Sequence, residues 1–184
     1  MEETPAAIDE RDRLLVKRFL EGEADAAIGL VDRYQKRLFN VALRMLDNVQ
    51  DAEDVTQTAF YNAFLKLRSY DPKHRFFSWI YRITVNEALN TLKRRKQVVT
   101  LEDIVVATGS APDRVADEED QVGKALMYLK PDDRAVVVLR HFVAFSYEEI
   151  ADALEIPVKT VKSRLHEARE RLKTVIRNQG IEAC

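Results

Sequence analysis

Apolar residues recur at steps of three and four along most of the chain, and this pattern predicts helices. Over 23–46, Ala27, Leu30, Val31, Tyr34, Leu38, Val41, Ala42, Met45 and Leu46 share one face, and a shorter helix precedes it at 10–21. Asp25 suits a start for the longer of the two. A third helix reads over 51–68, with Val55, Ala59, Phe60, Ala63, Phe64 and Leu67 as its apolar stripe. "SYDPKH" then interrupts, because Pro72 disfavours helical backbone at Asp71. The helix that follows, about 75–95, carries two apolar stripes: Phe76, Ile80 and Ile83 form one, and Tyr81, Val85, Ala88, Leu89 and Leu92 the other. Between them runs a strip of Trp79, Arg82, Asn86, Asn90 and Lys93.

Residues 97–117 contain Gly109, Ser110 and Pro112 and hold no sustained period, which predicts a linker. Helices resume at about 118–129, 131–143, 147–154 and 158–178, with Pro131 at a first helical position after a stop at Lys130. The expected fold is all-α: two small helical domains, 1–96 and 118–184, joined by an acidic linker, each too small for more than a modest core. Five Gly and five Pro in 184 residues leave little turn material for an all-β alternative.

Charge changes the picture more than composition does. The net charge is only −2, but residues 66–96 hold nine Lys/Arg against two acids, and 158–177 hold seven against two. Between them, 101–121 holds one Arg against seven acids. Two basic blocks flanking an acidic one create local fields that attract partners more than the total does. A single cysteine, Cys184, cannot form an internal disulfide and suits a reducing compartment. The acidic start "MEETPAAIDERDRLL" has no cationic segment followed by an apolar run, and no apolar run is long enough to span a bilayer. A cytoplasmic chain without membrane insertion is expected.

"SYEEIADALEIPVKTVKSRLHEARERLK" is the most specific local pattern. Ser146 and Glu149 form a capping box at a helix start. Ile150, Ala151 and Leu154 make an inner face, "EIP" a short turn, and Val161, Leu165, Ala168 and Leu172 the inner face of the next helix. Lys159, Thr160, Lys162, Ser163, Arg164, His166 and Arg169 remain outward. This predicts a helix-turn-helix whose second helix presents short polar and cationic side chains to a major groove. The competing reading is a pair of core helices with a solvated basic face. Glu155 stands where many such turns have Gly, so the turn is expected to form without a residue that readily takes positive φ.

Three segments, "DAEDVTQTAFYNAFLKLRSYD", "FFSWIYRITVNEALNTLKRR" and the helix-turn-helix, occur in one order and spacing. In this the chain resembles bacterial RNA polymerase sigma factors of the short extracytoplasmic-function (ECF) class, which keep only regions 2 and 4. The resemblance implies that the first half binds the β′ clamp helices of core RNA polymerase, then recognises and opens the promoter −10 element. The second half would bind the β flap and read the −35 element. Asp51, Glu53, Asp54, Gln57 and Phe60 match the polymerase-binding helix, with Thr58 where many relatives carry Glu. Helix-start charges and metal ligands are the alternatives for the acids, the latter disfavoured because no His or Cys lies nearby.

For −10 DNA the resemblance implicates the 69–76 loop with Tyr70, then Trp79 and Asn86; the helical strip that Trp79 and Asn86 share with Arg82 and Lys93 is therefore the expected DNA face, with 93–96 as a phosphate anchor. A base extruded from a strand is held by stacking and by hydrogen bonds to its edge, and a Tyr ring and an Asn amide suit that. Trp79 matches a position used in promoter opening, but its neighbour is Ile80 rather than a second Trp, which implies weaker melting and stricter promoter choice. For −35 DNA, Lys162, Ser163 and His166 are expected on bases and Lys159 and Arg169 on phosphates. The acidic linker implies either a nucleic-acid mimic in the polymerase cleft or a soluble tether. Family members are commonly silenced by an anti-sigma factor, an expected partner beside core polymerase and promoter DNA.

Other readings are a helix-turn-helix regulator with a ligand-sensing or dimerising N-terminal domain, and an enzyme. For the second there is little material: His74, His141 and His166 are far apart in sequence, and no phosphate loop, metal-ligand spacing or nucleophilic triad stands out. No cofactor and no metal are expected.

Overall fold

The computed structural model describes residues 5–101 and 118–179, and among these it contains eight α-helices and no strand. The first half comprises α1 (Pro5–Leu20), α2 (Asp25–Leu46), α3 (Val49–Lys66), a 3₁₀ turn (Leu67–Ser69) and α4 (Phe76–Leu101). The second comprises α5 (Glu118–Met127), α6 (Pro131–His141), α7 (Tyr147–Leu154) and α8 (Val158–Gln179). No helix among the described residues is long and apolar enough to cross a membrane.

Local chemistry sets the boundaries. Asp47 closes α2 in the left-handed region (φ 50°), donating its N–H to the Leu43 carbonyl at 2.8 Å. Asn48 then caps α3 by accepting from the Asp51 N–H at 2.9 Å. After the 3₁₀ turn, the Tyr70 hydroxyl donates to the His74 carbonyl at 2.6 Å, and the Asp71 carboxylate accepts from the Lys73 N–H, which together fix the loop into α4. Helix α4 runs to Leu101, beyond the expected start of the linker at 97. The physical reason is in "QVVTL": it holds no helix breaker, and Gly109 and Pro112 come later. The rest of the expected linker, and Cys184, lie outside the described residues.

Helix α2 is the axis of the first half: Leu30, Tyr34, Leu38, Ala42 and Met45 are fully buried, and α1, α3 and α4 surround it. Asp12 of α1 is also fully buried. It accepts from the Tyr34 hydroxyl and pairs with Arg33 at 3.2 Å, so the penalty of burying a carboxylate is partly offset. Helix α6 is the axis of the second half and is buried over seven consecutive residues, Asp133 to Leu139, with α8 and α7 on one side and α2 and α4 on the other.

One shared apolar cluster crosses between the halves, so neither small domain relies on its own core alone. Phe145 (1% exposed) sits against Phe77 and Tyr81 of α4, with ring centroids 5.2 and 5.7 Å apart. Arg134 (5% exposed) donates to the Met45 carbonyl at the end of α2 and to the carbonyls of Leu126, Met127 and Leu129 around the end of α5. Burial holds its guanidinium below its usual pKa. A small domain gains most by sharing apolar surface, because surface falls relative to volume as the core grows.

Candidate nucleic-acid and protein interfaces

The helix-turn-helix forms as its sequence predicts. Ser146 accepts from the Glu149 N–H at 3.1 Å, and the Glu149 carboxylate accepts from the Ser146 N–H at 2.8 Å, completing the capping box. Arg140 holds the preceding loop by donating to the Phe145 carbonyl at 2.7 Å. The turn forms without a glycine, as its sequence requires: Glu155 itself takes the left-handed conformation (φ 53°, ψ 43°) that Gly adopts at no steric cost. In α8, Val161, Leu165 and Ala168 are buried and Leu172 is half-buried. Lys159, Lys162, Ser163, His166 and Arg169 are exposed on the opposite face, with Thr160 and Arg164 half-buried at its margin. Arg164 lies 3.8 Å from Asp132 of α6, and the Ser163 hydroxyl donates to Glu167 at 3.2 Å.

The second site lies on α4 and the loop before it. Ile80, Tyr81, Val85 and Ala88 are buried, and this turns the strip of Trp79, Arg82, Asn86 and Lys93 away from the core. Asn86 and Lys93 are exposed, while Trp79 and Arg82 are half-buried. Tyr70, expected as an accessible ring, is 8% exposed: it lies edge-on to Phe76 and 5.4 Å from the Trp79 ring. Its phenol is pushed above the usual pKa, chiefly by burial, and stays protonated. Trp79 is therefore the ring that this surface offers, backed by Tyr70. Ile80, which stands beside Trp79 in place of a second Trp, is fully buried and belongs to the core.

Sequence reading missed one side chain here. Ser78 lines one cleft with Ser69, Tyr70, Asp71 and His74 of the expected loop and with Trp79 and Arg82. Ser78 could have been found, since it precedes Arg82 and Asn86 at successive steps of four. Within the basic tail of α4, Arg95 forms an ion pair with Asp51 of α3, and Arg94 donates to Thr91 at 3.1 Å. Two groups expected at different interfaces, one toward polymerase and one toward phosphate, here hold each other.

The third surface is α3. Glu53, Asp54 and Gln57 are exposed, and Asp51 is half-buried beneath Arg95. Phe60 does not share their face: it is 7% exposed and stacks at 6.1 Å on Phe64, so in this structure it supports α3 from inside. Tyr61 and Leu65, each 65% exposed, occupy the outer face beside Asp54 instead. They fall outside the apolar stripe of α3, and that misfit was the available signal.

Comparison with known proteins gives these surfaces a context. The family model of sigma-70 region 2 matches residues 30–98, which span α2 to α4, and that of sigma-70 region 4 matches 119–172, which span the helix-turn-helix. The chain is 32% identical over 178 residues to the ECF RNA polymerase sigma factor SigW of Bacillus subtilis, covering 89% of this chain and 95% of that one. The fold matches CnrH in complex with the cytosolic domain of CnrY at a TM-score of 0.71 and 28% identity, over 91% of this chain and 98% of that one. It also matches the sigma factor RpoE of Bartonella quintana in complex with the anti-sigma factor NepR, at 0.70 and 26% identity, over 81% and 95% of the two chains. With both sigma regions present on the helices that carry the exposed faces, the chain belongs to the ECF class of sigma factors, which direct promoter-specific initiation by core RNA polymerase.

Proposed function

We propose a division of labour in which residues 1–96 bind core polymerase and read and open the −10 element, and 118–184 read the −35 element. The observation that carries it is the pair of polar faces, on α4 and α8, that the core turns outward at the two basic segments. On α8, Lys162, Ser163 and His166 contact base edges and Lys159 and Arg169 contact phosphates, with Thr160 and Arg164 at the margin. On α4, Trp79 stacks on an unpaired base, Asn86 hydrogen-bonds to a base edge, and Arg82 and Lys93 neutralise the backbone.

Glu53, Asp54 and Gln57 of α3 face the β′ clamp helices, where carboxylates and an amide suit cationic partners, and the second half meets the β flap. The chain acts in the cytoplasm and itself makes and breaks no bond. An anti-sigma factor holds it in reserve, as the RpoE–NepR complex suggests by likeness.

The test is reconstitution: this chain, core polymerase and fragmented genomic DNA, with mapping of transcript 5′ ends. Transcripts should share one pair of upstream elements, and Asn86→Ala should change the −10 preference while Lys162→Ala changes the −35 preference. Failure to bind core polymerase in any form would overturn the reading. The linker is proposed as an acidic tether; neutralising its carboxylates without effect on initiation supports that over mimicry of nucleic acid.

A further inference from the structure

The two outward faces are not equally accessible. The recognition side chains of α8 point into solvent, but the N-terminal end of the α4 strip faces α7. Arg75, just before α4, lies 3.2 Å from Glu149 of α7 and is held on its other side by Asp9 of α1 at 2.9 Å. Arg82 forms an ion pair with Glu155. Asp152 and Glu155 line the same cleft as Ser78, Trp79 and Arg82. Glu149, Asp152 and Glu155, at steps of three, thus run as one acidic edge that meets Arg75 before the cleft and Arg82 within it. Carboxylate on guanidinium is the geometry by which a phosphate would be held there.

We propose that α7 is a built-in cover for the −10 face: its acidic edge takes the place of strand phosphates, so the free chain keeps that face shut while its −35 face stays open. The inference rests on the −10 reading of α4 given above. Glu155 supplies an independent observation. Its backbone is in the left-handed region, where Gly carries no steric penalty, yet the position holds a side chain that reaches across to Arg82. Local folding of the turn gives no reason for Glu; the contact with α4 does. The ion pairs are partly exposed, and such pairs are individually weak. The seam of Phe145 against Phe77 and Tyr81 therefore holds the halves together, and the acidic edge decides what the closed form excludes.

The single tryptophan, Trp79, lies in the covered cleft and reports on the cover without DNA. The experiment compares full-length wild type, Glu155→Gly and the double variant Glu149→Gln/Glu155→Gly, with Glu148→Gln, an exposed residue of α7, as a charge control. Gly relaxes the turn backbone and Gln keeps a capping-box acceptor, so all are expected to fold. Two quantities are read: acrylamide quenching of Trp79, and anisotropy of a fluorescein-labelled pool of random single-stranded DNA 12-mers, both without polymerase.

The double variant should raise the quenching constant and tighten DNA binding about two- to fivefold, more at low than at high salt, with Glu148→Gln near wild type. Unchanged quenching overturns the cover, whether or not DNA affinity rises. Raised quenching equal to that of Glu148→Gln overturns it too. Raised quenching specific to the cleft variants, with unchanged DNA affinity, supports the cover and instead refutes the −10 assignment of α4.

Discussion

Replacing Arg134 by Met is expected to destabilise both halves of the molecule together. The guanidinium donates to four carbonyls on three segments: Met45 of α2, Leu126 and Met127 of α5, and Leu129 of the following turn. Most lie at helix C-termini, where carbonyls lack intrahelical partners and a cation is favoured. Hydrogen bonds from a charged donor contribute about 1.5–3 kcal/mol each, and a buried acceptor left without a donor costs about 1–3 kcal/mol. Against this, no carboxylate forms an ion pair with Arg134 among the contacts described, so Met escapes a desolvation penalty that the guanidinium bears.

The net expected loss is about 3 kcal/mol, a large share of the ~5–15 kcal/mol that stabilises a typical domain. The assay is equilibrium urea unfolding followed by Trp79 fluorescence, which reports α4, and by far-UV circular dichroism, which reports all helices. With a slope of about 2–3 kcal/mol per M, the midpoint should fall by about 1–1.5 M in both signals. Arg134→Lys keeps the charge but cannot span the four acceptors, and should fall between the two. A loss below about 0.5 kcal/mol, or Lys equal to wild type, would refute the account of Arg134 as a bridge between helix ends. A midpoint shift in dichroism alone would refute the shared core.

Three further outcomes follow from the same structure. Burial raises the Asp12 carboxyl above its ordinary 3.8, so the folded state binds that proton more readily than the unfolded one. The stability of wild type relative to Asp12→Asn should therefore fall as pH rises above 3.8 and level off beyond the folded pKa; a rise over that window, in denaturation series at several pH values, contradicts it. Ser146→Ala removes half of the capping box and should cost about 1 kcal/mol in thermal or urea unfolding, with α8 still helical by circular dichroism. Ile80→Ala opens space in the core and should cost about 2–4 kcal/mol, whereas Asn86→Ala, at an exposed position, should cost under about 0.5 kcal/mol; the reverse order would mean α4 is turned the other way.

Much of this protein is written in local sequence. The steps of three and four located each helix because one face of a helix must be buried, and the capping box at Ser146 and the break at Pro72 set boundaries by chemistry within a few residues. The outward face of α8 followed from the same period, and the order of three motifs carried the family. What period could not give was anything that depends on a second element. Helix α6 is buried nearly all round because α2 and α4 cover the side that α7 and α8 leave open, so Arg134 reads in sequence as a surface charge. Tyr70 reads as an available ring, yet Phe76 and Trp79 close over it. Phe60 and Tyr61 are neighbours in sequence on opposite faces of α3; the apolar stripe puts Phe60 inside, and its burial there takes it off the outer face where the family resemblance had placed it. Glu155 is the clearest case. Its sequence shows a residue ill suited to a left-handed turn, and only the approach of α7 to α4 brings its carboxylate to Arg82. Local propensity is set by neighbours along the chain, whereas an ion pair between residues 73 positions apart exists only once the apolar seam has brought their helices together.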